Sequence, residues 1–147
     1  MGHLVREVII DYRDVTELET QIACPSTVAE VFRATVKTMA VESTLVMCLD
    51  GANKLISVSV VSQGTVNAAT VHPRDVFRHA IAMNSASVIL AHNHPSGNLA
   101  ASEADETLTQ RIAQGGKILG IKVLDHVIVT RDAYTSMASH NSRCFVS

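Results

Sequence analysis

Two histidines stand two residues apart in the string HNHPSG, His92 and His94, and a carboxylate, Asp105, follows beyond the turn. In an extended segment residues i and i+2 project to the same side, so both imidazoles aim at one point while Asn93 faces away. Pro95-Ser96-Gly97 turns the chain out toward a helix beginning near Ser102, whose first turn brings Asp105 back over the histidines. Two imidazole nitrogens and a carboxylate leave a tetrahedral Zn2+ with its fourth position open to water, as in catalytic rather than structural zinc sites. Each piece alone has a plainer reading. An isolated H-x-H pair is a weak signal, and Ser102-x-x-Asp105 is also a helix capping box, with Asp105 at N3 near the positive end of the dipole. Two histidines and a carboxylate also describe the facial triad of Fe(II) oxygenases. The letters His-Asn-His carry no information about HNH nucleases, whose motif residues are widely separated. Zinc deaminases need a glutamate beside the first ligand and a P-C-x-x-C pair, both absent.

The elements that must position these residues follow from pattern. Arg6 to Tyr12 reads as a short strand. Thr27 and Glu30 form a capping-box pair, and Val28, Val31, Phe32, Val36 and Met39 recur at helical spacing, predicting a helix from about Val28 to Ala40. Ser43 to Leu49 and Lys54 to Ser62 should pair as a hairpin across the Asp50-Gly51-Ala52-Asn53 turn, with a further strand at Thr65 to Thr70. Pro73 opens a helix reaching about Asn84, and Ala86 to Ala91 is an apolar strand delivering the chain into HNHPSG. From Ser102 the pattern is helical, with Gly115-Gly116 a weak point or end; Ile121 to Val129 is a strand, and Tyr134 to Ser139 a short helix. Strands with helices interposed predict an α/β domain around a mixed sheet.

Composition narrows the function classes. The 147 residues are 47% hydrophobic and 18% charged, enough to fold as one domain. A net charge of -2, 3% aromatic residues and no tryptophan disfavour autonomous nucleic-acid binding. Cys24, Cys48 and Cys144 form no C-x-x-C pair, which fits a reducing cytoplasm. No run approaches the ~18 apolar residues of a membrane span; MGHLVREVIIDYRD lacks an export core, and Arg6 breaks the myristoylation pattern. His126, in VLDHVIV, would share a strand face with Leu124 and Ile128 as a buried, hydrogen-bonded core histidine rather than a fourth ligand. Cap or surface roles suffice for His72 and His79, Cys48 reads as core, and Arg74, Arg78 and Arg111 as scattered solvated charges.

The set His92-x-His94-x7-Ser102-x-x-Asp105, with a glutamate well upstream, is similar to the JAMM (MPN-plus) metalloprotease motif. More closely, GTVNAATVHPRDVFRHAIAMNSASVILAHNHPSG, a helix and then LGIKVLDHVIV resemble the bacterial RadC-like JAB domain, over about Val41 to Thr130. The resemblance implies a cytidine-deaminase-like, three-layer α/β/α fold of the JAB/MPN type across residues 1–147. It implies Zn2+ held by His92, His94 and Asp105, Ser102 as hydrogen-bond donor to the tetrahedral intermediate, and a glutamate as general acid/base. Glu42, at the start of the strand Ser43 to Leu49, matches the family's glutamate; Glu30 reads as a capping residue and Glu103 as a solvent-facing acid. The expected activity is that of a zinc-dependent metallohydrolase, a peptidase or isopeptidase acting on a peptide or protein substrate. A DNA-repair-associated RadC-type module and a metal-binding scaffold without turnover are the alternatives. RadC-like proteins often carry an upstream helix-hairpin-helix segment, and the roughly 40 residues before Glu42 leave too little room for it, so direct nucleic-acid binding is not expected. The sequence gives no oligomeric state.

Overall fold

Runs of Val, Ile and Leu too apolar to face water build the sheet. Ser43–Leu49 (β1) and Ser87–Asn93 (β3) are buried along their whole length, as strands covered on both faces are. The computed structural model describes residues 1–12, 20–64, 71–140 and 142–145. In it β1 pairs antiparallel with both β2 (Leu55–Gln63) and β3, and β3 runs parallel to β4 (Lys122–Val129). A short β5 (Tyr134–Ser136) adds antiparallel to β4, giving the mixed order β2-β1-β3-β4-β5. Helix α1 (Pro25–Thr35) covers one face over Leu45, Met47, Ile89 and Val127. Helices α2 (Pro73–Ala82) and α3 (Glu103–Leu119) cover the other over Val46, Cys48, Val88 and Leu90, so the layers are α/β/α, as expected. Among the described residues no helix is long and apolar enough to cross a membrane.

Local chemistry explains the turns. Asp50 Oδ1 accepts from the Ala52 and Lys54 amides, both at 2.9 Å, and Asn53 takes φ 60°, closing the β1–β2 hairpin. His72 caps α2, its Nδ1 accepting from the Arg74 amide, while Asp75 reciprocates and Pro73 fills N1.

Several expectations are corrected. Residues 6–12 form no strand: Val8 and Ile9 are exposed, and the segment touches the fold through the Tyr12 hydroxyl donating to the Ala82 carbonyl. Apolar residues alone do not make a strand: the segment has no ladder partner among the described residues, while Gln21 bridges to Lys54 just before β2. Helix α1 starts earlier and ends sooner than the spacing predicts. Pro25 supplies a fixed φ at N1, Cys24 is the N-cap, and no Thr27–Glu30 capping box forms. Val36 is already extended, yet Val36 and Met39 still pack on the α1-side core, which is why the apolar pattern outruns the helix. Tyr134–Ser136 is strand, with the helix α4 confined to Met137–His140. The predicted strand at 65–70 lies outside the described residues.

The Gly115-Gly116 pair does not end α3, which runs to Leu119 and stops at Gly120 with φ 72°. Gly116 is there for close packing: a Cβ would sit 2.3 Å from the Ile121 carbonyl oxygen. Helix propensity alone makes Gly116→Ala stabilising by ~1 kcal/mol. The clash reverses the sign, and chemical denaturation should find the variant destabilised by ~1–3 kcal/mol.

Candidate metal centre

The site assembles where β3 hands the chain to α3. His92 lies near the carboxyl end of β3, beside Thr44 of β1 and Ile128 of β4. His94 is one step past the strand, its amide donating to Val129 O at 3.2 Å, and Gly97, at φ 83°, donates back to His94 O at 3.0 Å. Ser102 caps α3: its Oγ accepts from the Asp105 amide at 3.0 Å, and Asp105 Oδ2 accepts from the Ser102 amide at 2.9 Å. The capping box and the ligand set are therefore one structure, because the cap orients the Asp105 carboxylate over the rings.

Among the described residues His92, His94 and Asp105 form the group able to hold a metal ion. His92 Nε2 lies 2.9 Å from His94 Nε2 and 3.3 Å from Asp105 Oδ1, and His94 Nε2 lies 3.2 Å from Asp105 Oδ2. Around a zinc ion with ~2.0–2.1 Å ligand bonds, the corners of a tetrahedron stand about 3.3 Å apart. The donor set and its spacing thus fit zinc to within a few tenths of an ångström. His92 and Asp105 are buried, whereas the His94 side chain keeps 17% of its surface, leaving the group approachable from one side.

Electrostatics follows from this packing. Burial opposes the charge on Asp105, but the His92 and His94 rings at hydrogen-bond distance outweigh it and hold the carboxyl well below the carboxylate range. The Asp105 hydrogen bond raises the His94 pKa above the usual histidine value; burial works against this, and Asn98 O and the charges of Asp105 and Glu42 reinforce it. An imidazolium has no lone pair to give a metal. Zinc affinity should therefore rise with pH by about tenfold per unit per proton released, levelling off only above the elevated His94 pKa. Competition titrations with a chromophoric chelator at stepped pH measure this; a plateau already below the ordinary histidine range would contradict it.

Glu42 precedes β1. The antiparallel β1–β3 ladder ends with Thr44 opposite His92, and Glu42 lies two residues outward of that last pair. It is half-buried, and its charge is felt at the His94 ring. Asn93 does face away, as expected, but it does more than that. Its buried amide accepts from the Ser43 amide at 2.7 Å and donates to Met39 O at 3.1 Å and Val41 O at 3.0 Å, fixing the segment that carries Glu42. Glu30 is exposed on α1, across the sheet from the histidines, and Glu103 is exposed at the start of α3.

His126 is a buried, hydrogen-bonded histidine, as its strand context predicts, but the alternation is broken. A register shift in the β3–β4 ladder puts Val88 opposite Val123 and Leu90 opposite His126. Leu124 consequently packs on the α1 side, and His126 faces α3. There His126 Nε2 meets His92 Nδ1 at 2.6 Å and His126 Nδ1 meets Thr109 Oγ1 at 2.6 Å. Thr109 and Asn98, whose carbonyl accepts from His94 Nδ1 at 2.7 Å, are contacts the sequence reading missed. Thr109 had a signal, since it lies one helical turn beyond Asp105 on the same face. Alongside the first turn of α3 a cavity of about 440 Å³ opens between Leu99–Ala101 and Thr135–Met137, with Glu106 and His140 on its walls.

A family model described as RadC-like JAB domain matches residues 22–142. A UPF0758 protein of Methanosarcina barkeri is 40% identical over 123 residues, 84% of this chain and 54% of that protein. One of Finegoldia magna is 44% identical over 113 residues, 77% of this chain and 51% of its own length. One of Methanococcoides burtonii reaches 53% identity over 89 residues. The chain thus spans about half the length of the first two curated relatives. Because the matched stretch runs from before α1 to beyond α4 and takes in both histidines and the aspartate, the chain belongs to the RadC-like JAB domain family.

Proposed function

We propose that this protein is a zinc-dependent hydrolase of amide bonds, a peptidase or isopeptidase of the JAMM type acting on a peptide or protein substrate in the cytoplasm. The observation that carries the reading is the convergence of His92 Nε2, His94 Nε2 and the Asp105 carboxylate at tetrahedral spacing, with the charge of Glu42 felt at the His94 ring. Bound there, zinc supplies a water acidified to a pKa of roughly 7 and an electrophile for the scissile carbonyl. Glu42 takes the proton released by the attacking water and delivers it to the departing amine nitrogen. Ser102 Oγ spends a lone pair on the Asp105 amide, which leaves its exposed hydroxyl hydrogen to donate to the oxyanion. Three free cysteines, two of them buried, accord with a reducing compartment.

The test uses untagged protein, elemental analysis for metal, and mixed peptide and isopeptide-linked libraries read by mass spectrometry. Cleavage that a chelator abolishes and zinc restores is the expected result. A zinc-filled site that leaves every library member intact would sink the hydrolase reading in favour of a scaffold or DNA-repair-associated role.

A further inference from the structure

The buried chain His92–His126–Thr109 reaches from a metal ligand into the helix that carries another, and one carbonyl decides which way its protons point. Thr109 Oγ1 lies 2.7 Å from the backbone oxygen of Asp105, which can only accept, so the hydroxyl proton is committed there. Toward His126 Nδ1, at 2.6 Å, the hydroxyl oxygen must then accept, so His126 carries its hydrogen on Nδ1. His126 is 1% exposed and among the described residues its ring meets only His92 and Thr109, neither of them a carboxylate, so a charge there would be buried without a counter-ion; the ring is neutral and Nε2 keeps a lone pair. That nitrogen is 2.6 Å from His92 Nδ1, so His92 must be the donor, with its hydrogen on Nδ1 and a lone pair on Nε2. His92 Nε2 is the atom facing His94 and Asp105.

We infer that His126 and Thr109 are positioning residues that fix His92 in its metal-competent tautomer before any metal arrives. The inference rests on the reading of His92, His94 and Asp105 as a metal centre. A ligating histidine ordinarily donates its second N–H to a carbonyl or carboxylate, as His94 does to Asn98. His92 has instead a neutral imidazole acceptor, whose polarity is set at the backbone of Asp105. The two ligands from β3 and α3 are thereby coupled: a shift in the first turns of α3 moves both the Asp105 carboxylate and the carbonyl that orders the chain.

The first readout is independent of mutation and of activity. Long-range proton–nitrogen correlation spectra of the metal-free wild type should show His92 and His126 both as Nδ1–H tautomers. Zinc affinity, by chelator competition, should fall about 10- to 100-fold in Thr109→Val and His126→Phe. His126→Gln, whose side-chain oxygen can accept from His92, should recover most of the loss seen in His126→Phe. An Nε2–H tautomer at His92 in the wild type overturns the inference. So does wild-type zinc affinity in folded Thr109→Val and His126→Phe. Wild type that binds no zinc overturns the metal reading itself, a result distinct from wild type that binds while the variants bind equally well.

Discussion

Untagged His94→Ala protein should carry almost no zinc where the wild type carries about one per chain. In the proposed centre His94 would supply one of three protein donors, and removing it would leave His92 and Asp105, whose Oδ2 also accepts from the Ser102 amide. Outer partners of metal ligands are typically worth 10- to 100-fold in affinity, and a ligand itself should cost more than that. The loss is separable from unfolding. His94 lies beyond the last residue of β3 and stays partly exposed, so its ring contributes little to the sheet core, and its amide bond to Val129 O is untouched by truncation. Circular dichroism should thus report a folded protein with an empty site. One consequence runs against intuition. Without metal, the His94 ring is a partner that holds the Asp105 carboxyl low, so in metal-free His94→Ala protein the Asp105 pKa should move back upward. Zinc retained at wild-type stoichiometry in folded His94→Ala protein would remove this group as a metal centre.

The grouping of His92, His94 and Asp105, which could hold a metal ion, was legible in the sequence because its geometry is local. Strand alternation aims His92 and His94 together, and a helix first turn returns Asp105 to them, so short-range rules suffice. The expected mixed sheet with helices interposed follows similarly from apolar runs and their spacing, whereas its α/β/α layering was implied by the resemblance to the RadC-like JAB domain. What the sequence hid depends on partners far along the chain. The segment 6–12 has strand-like residues, but a strand also needs a ladder partner elsewhere in the chain, and among the described residues it has none. The α1 terminus is hidden because apolar residues beyond it reach the same core without helical backbone. The side on which Leu124 packs turns on a register shift against β3, which no periodicity within VLDHVIV records. Likewise His126 could be read as buried, but its bond to a ligand requires the β3–β4 register, and the role of Asn93 requires β1 to lie where it does.

Glu42→Gln should bind zinc as the wild type does and lose amide hydrolysis by about 10²- to 10⁴-fold, the range for a positioned general acid/base. The substitution keeps size and hydrogen-bonding capacity while removing the proton acceptor, so it isolates proton transfer from packing. Its placement makes Glu42 the acid to test. It lies two residues beyond the Thr44–His92 pair with its charge felt at His94, the Asn93 amide holds the preceding and following backbone, and Gly64 donates to the Glu42 carbonyl at 2.9 Å. That carbonyl bond and the Asn93 contacts are backbone interactions, which glutamine preserves. Two controls sharpen the outcome. Glu30→Gln, across the sheet, and Glu103→Gln, exposed on α3, should leave turnover within about twofold, as surface substitutions away from a site do. Loss of zinc in Glu42→Gln would instead make the carboxylate a contributor to metal binding, since its charge reaches His94. Full turnover with the metal retained would remove Glu42 from the proton-transfer role and leave the hydrolysis to water and Ser102 alone. The ratio of turnover to bound zinc, measured on the same protein sample, separates these outcomes: it collapses only if Glu42 acts on the proton rather than on the metal.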